Sequence, residues 1–72
     1  LVMDREFAEQ ARMLAKVAIR NLHDIWLLAQ SRDIKYERTD ELMRDIGLAI
    51  GSIDYEIVRR IEECHPDLAD RT

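Results

Sequence analysis

Apolar side chains recur along the first part of the chain at Phe7, Ala11, Leu14, Ala18, Leu22, Ile25 and Ala29. The steps of three and four residues follow the turn of an α-helix, not the two-residue alternation of a strand. The other side reads Arg5, Glu9, Arg12, Lys16, Arg20 and His23, a charged face suited to water. Asp4 stands where its carboxylate can accept the free amides of a first turn. Arg5/Glu9 and Arg20/Asp24 have the i,i+4 spacing that supports a helix by a few tenths of a kcal/mol each. The spacing predicts a helix over about 5–30.

A second series follows at Leu42, Ile46, Ile50, Ile53, Ile57, Ile61 and Cys64. Thr39 offers a capping hydroxyl, and Asp40 and Glu41 put carboxylates at the positive end of the helix dipole. Pro66 ends the run, because the residue before a proline is pushed out of the α region. The second helix is therefore expected over about 40–64. Between the two, Ser31–Arg38 loses the apolar period and is dense in charge, which reads as a loop; a single continuous helix is the rival. The domain is expected to span 4–66, with 67–72 a frayed tail. Leu1 and Val2 carry no weight in the fold.

The width of the apolar faces decides the architecture. At about 100° per residue, apolar side chains on the first helix run from Met13 and Val17 through Leu14 and Phe7 to Trp26 and Ile19. The second helix is also broad, from Leu42 and Ala49 through Ile50 to Val58. One neighbouring helix covers only a narrow seam. A lone hairpin would leave large apolar strips in water, and a chain this short obtains little stability from its own core. The expected fold is all-α: an antiparallel two-helix hairpin that pairs with a second copy as a homodimeric four-helix bundle. A different protein partner would satisfy the same surface.

Composition agrees and excludes other classes. The chain has 72 residues, two Gly, one Pro and one Cys. That is too few turn residues for an all-β chain. A lone Cys excludes an intramolecular disulfide and Cys-rich zinc frameworks, and points to a reducing, cytoplasmic setting. An apolar content of 47% argues against disorder. No run is long enough to span a membrane, so no membrane partner is expected.

Candidate chemistry is sparse. Asn21 and Asp54 fall inside the apolar arcs and read as buried polar residues that set the register of a bundle. Gly47 and Gly51 each cost about 1 kcal/mol relative to Ala in a helix, which points to close approach by another helix. Glu62-x-x-His65 has the spacing of bundle metal sites, but His65 adjoins Pro66, off the helix. Arg60-x4-His65 resembles the motif of certain helical ribonuclease toxins. His23 falls on the polar face, and Cys64 on the apolar stripe as a small core residue. No nucleophile–base pair converges anywhere, so no catalytic residue, metal or cofactor is expected.

Charge is unevenly shared. Residues 1–36 carry six Lys/Arg and five Asp/Glu, and residues 37–72 five Arg and ten Asp/Glu. Arg5, Arg12, Lys16 and Arg20 form a cationic stripe on the first helix. Such a stripe on a hairpin dimer resembles in architecture the small Rop-like RNA-binding bundles, although an overall charge of −4 disfavours nucleic acid. The expectation is a small interaction, oligomerisation or regulatory module that acts by binding. Its interface is expected to use Phe7, Leu14, Trp26, Gly47, Ile50 and Gly51. A nucleic-acid-binding hairpin and a small metal-binding bundle or enzyme are the alternatives.

Overall fold

Asp4 starts the first helix as its position predicts. In the computed structural model, which describes residues 3–32 and 37–70, its carboxylate accepts the Phe7 amide at 3.0 Å. Helix α1 then runs over Arg5–Ser31 and stops at an extended Arg32. The Arg5/Glu9 pair closes at 3.0 Å, while Arg20 and Asp24 both stand exposed. Residues 33–36, the heart of the expected connector, lie outside the described residues. Helix α2 covers Thr39–Ser52, with Asp40 and Glu41 in its first turn. It begins one residue earlier than a Thr39 cap implies, and the Arg38 carbonyl accepts the Leu42 amide.

The second rod then departs from a plain α-helix. Ile53–Val58 widens into a π turn before α3 resumes over Arg59–Cys64. Within it the Arg59 amide donates to the Asp54 carbonyl, five residues back. His65 leaves the helix ahead of Pro66, and Pro66–Asp70 forms a short 3-10 turn. No strand occurs among the described residues, and no helix there is long and apolar enough to cross a membrane.

The two rods run antiparallel. Arg5 reaches Asp67, Arg12 reaches Glu62 and Lys16 reaches Asp54, so rising numbers on α1 meet falling numbers on the second rod. The result is a slender body of 48 × 17 × 17 Å.

The seam between the rods is narrower than the apolar arcs. Ala8 and Ala15 are buried on α1, with Ala11, Ala18, Ile19, Leu22 and Trp26 half-buried beside them. Phe7, Leu14 and Ile25, which share the expected stripe, stay exposed. The cause is steric. Alanine lets the second rod come close, and close packing leaves bulkier neighbours at the margin.

The π turn corrects the second stripe. A uniform helical step places Ile57 and Cys64 in the core, but one extra residue rotates everything downstream by about 100°. Val58 and Ile61 are buried instead, while Ile57 and Cys64 are exposed. The frayed tail is corrected too. Leu68 is 1% exposed and packs with Ala8 and Ile61. Pro66 ends the helix but has the φ that a tight turn needs, and the turn carries Leu68 back onto the seam. His65 ties down the same end, its Nε2 donating to the Met3 carbonyl at 2.7 Å.

Leu68→Ala should therefore destabilise the fold by about 2–4 kcal/mol, read as a lower melting temperature. An unchanged melt would remove the tail from the core. Deleting Tyr55 should convert the π turn to α-helix and keep Val58, Ile61 and Leu68 on the seam. Retained helicity and cooperative melting are expected; an unfolded product would show that the turn is more than a one-residue insertion.

Candidate interaction face

The hairpin has two unlike faces. On one, α1 presents Arg5, Arg12 and Lys16 at steps of seven and four, which keeps them in one row. Each reaches across the seam to an acid of the second rod. Arg5 grips Asp67 with both terminal nitrogens, and this hydrogen bond holds the guanidinium further into its charged range than an isolated arginine. Arg12 donates to Glu62 at 2.9 Å. That pair is the most enclosed, its side chains 13% and 24% exposed, so water screens it least. Lys16 lies 3.8 Å from Asp54. An open groove of about 540 Å³ runs along this side, lined by Arg12, Lys16, Arg20, Met13 and Leu68 among others.

The opposite face is apolar. Phe7, Leu14, Asn21 and Leu28 recur seven residues apart on α1, with Ala11, Ala18 and Ile25 between them. Phe7 is 59% exposed and Leu14 65%. Beside them the second rod shows Leu42 and Ile57, also exposed. Phe7, Ala11, Ile57 and Ile61 line an open groove of about 420 Å³, bordered by Arg60 and Glu56. Periodicity had marked Phe7 and Leu14; Leu28 was the member it missed, although the seven-residue step from Phe7 was there to find.

Other expected interface residues are dispersed. Trp26 and Ile50 are half-buried along the seam, and Trp26 stacks on His23 with ring centroids 6.0 Å apart. Gly47 and Gly51 have nothing within 4 Å of an added Cβ, so no described helix approaches them closely. Leu48 and Tyr55, the latter 71% exposed, also stand clear of the seam.

Asn21 and Asp54 are exposed, so the seam buries neither. Asn21 continues the Phe7–Leu14–Leu28 row of the apolar face. Asp54 sits on the charged face beside Lys16, because Ile46, Val58 and Ile61 fill the seam and an ionised carboxylate stays in water. Glu62 and His65 do not converge on a metal position, since Glu62 binds Arg12 and His65 binds Met3. Among the described residues no three His, Cys, Asp or Glu side chains gather as metal ligands. Three of the four cations of the candidate nucleic-acid stripe, Arg5, Arg12 and Lys16, are engaged by acids of the same chain.

Open space around both glycines makes a direct expectation. Gly47→Ala and Gly51→Ala should each stabilise the helix by up to about 1 kcal/mol, raising the melting temperature with no change in solution mass. A lower melt with loss of mass would reveal a second chain packed on that side. No family model, curated protein or solved structure matches this chain.

Proposed function

We propose that this chain is a small interaction module that acts by binding rather than catalysis, and that its apolar face is covered by a second copy. The observation that carries this reading is the uncharged row Phe7, Ala11, Leu14, Ala18, Ile25 and Leu28 lying beside Leu42 and Ile57, with its large members exposed. Isolated soluble proteins avoid apolar strips of that length. The intrachain core cannot compensate, since the buried residues among those described are Ala8, Ala15, Ile46, Val58, Ile61 and Leu68.

Size favours a copy of the same chain. A face 48 Å long and 17 Å wide has a footprint of about 800 Å², what each partner contributes to a standard stable interface. Two such faces, packed together, give a homodimeric four-helix bundle in which each helix touches two neighbours. Asn21 would then be enclosed within an apolar interface, where an amide needs a partner and so favours one register. Asp54 would stay outside, with Lys16. The reducing cytoplasm suits a chain with one exposed thiol.

The nucleic-acid alternative is weaker on this geometry. Binding a phosphate backbone draws on free cations, and Arg5, Arg12 and Lys16 are committed to Asp67, Glu62 and Asp54.

Sedimentation equilibrium tests the reading. The wild-type chain should run at twice its 8.5 kDa mass. Leu14→Asp should weaken association by about 100-fold or more by placing a carboxylate in an apolar interface, while far-ultraviolet circular dichroism stays helical. A wild-type monomer, or a Leu14→Asp dimer of unchanged affinity, would overturn it.

A further inference from the structure

We infer that the two copies meet α1 on α1 and second rod on second rod, and that Arg60 of each copy locks onto Asp45 of the other at the rim. This rests on the face-to-face pairing proposed above and adds its orientation. Two twofold axes bring the same faces together. One lies across the rods and sets like helices against each other, antiparallel, with the connections at opposite ends. The other lies along the rods and sets α1 on the partner's second rod.

The intrachain ion pairs give the levels needed to choose. Lys16 faces Asp54, so Val17 and Ala18 share a level with Ser52 and Ile53. Ala18 is the middle residue of α1, Arg5–Ser31. The middle of the second rod, from Thr39 to Cys64, falls at Gly51 and Ser52. One level thus bisects both rods, and an axis across the rods there overlaps both helix pairs along their full length.

About that axis Phe7 meets Leu28 of the other copy, and Leu14 meets Asn21. On the second rod Asp45 and Arg60 lie about 11 Å to either side of the level, so each meets the other's counterpart. Arg60 makes no ion pair with a described residue and borders the apolar groove with Phe7 and Ile57. Asp45 touches its own neighbour Arg44 at 3.6 Å, and both are exposed. The axis along the rods is worse. It sets Arg60 opposite the uncharged Gln10 and Asp45 level with Ile25, so neither rim charge meets an opposite charge. Rim charges of this kind add little affinity but discriminate between arrangements, because they find partners in one and none in the other.

Charge reversal and cross-linking test the orientation. Arg60→Glu and Asp45→Arg should each raise the dimer dissociation constant by roughly tenfold, and the double variant should return to within about threefold of wild type. Ala18→Cys in a Cys64→Ser background should form an intermolecular disulfide with itself on mild oxidation, because Ala18 lies at the axis. If Leu14→Asp dissociates the dimer but Ala18→Cys fails to cross-link and the double variant is not rescued, this orientation is wrong and the pairing stands. If Leu14→Asp leaves the dimer intact, the pairing fails and the orientation with it.

Discussion

Alanine sets the distance between the two rods, and that distance governs everything else. With Ala8, Ala11, Ala15 and Ala18 along the contact, the second rod settles close to the α1 backbone. A close seam is well packed, but it encloses little side-chain volume. Large apolar groups that a wider spacing would have drawn inside remain at the edges. The hairpin is thus held by small residues, while Phe7, Leu14, Ile25 and Leu28 point elsewhere. For a chain of this size, where one core contributes only a few kcal/mol, their unspent surface is the larger resource.

Charge divides the two sides of that seam. The ion pairs Arg5–Asp67, Arg12–Glu62 and Lys16–Asp54 cross between the rods from one row of α1 to acids of the second rod. Individually such pairs at a surface contribute little. Together they engage Arg5, Arg12 and Lys16 with Asp67, Glu62 and Asp54, and the apolar face opposite keeps its charges, Glu56 and Arg60 among them, at the rim. The same arrangement that makes the first side self-satisfied makes the second side dependent on company. The π turn takes part in this division. It turns Val58 inward and leaves Ile57 on the apolar side.

Both helices, the Asp4 cap and the stop at Pro66 were legible in the sequence, because periodicity and end signals are local. The width of the apolar arcs was legible too, and with it the surplus that the hairpin cannot cover. Which part of each arc would be used was not. On α1 that depended on preferring small alanines over larger neighbours, a packing choice that the apolar pattern does not rank. On the second rod it depended on one extra residue between Ile53 and Val58, after which a uniform wheel misplaces Ile57 and Cys64. Leu68 was missed because a residue beyond a helix stop has no period to mark it. Asn21 was expected to be buried among apolar residues but is exposed in the hairpin, because the side those residues occupy emerges only once both rods are in place.

The clasp formed by His65 on Met3 and Arg5 on Asp67 has a mechanical consequence. Residues 3–5 and 65–67 meet at one pole of a 48 Å rod, so tension applied through both ends pulls across the seam, not along it. Loaded that way, the contacts bear force one after another, beginning at the clasp, in a peeling geometry and not in shear. A pull through residues 3 and 70 thus meets one contact at a time, whereas a pull along the rods loads the whole seam at once.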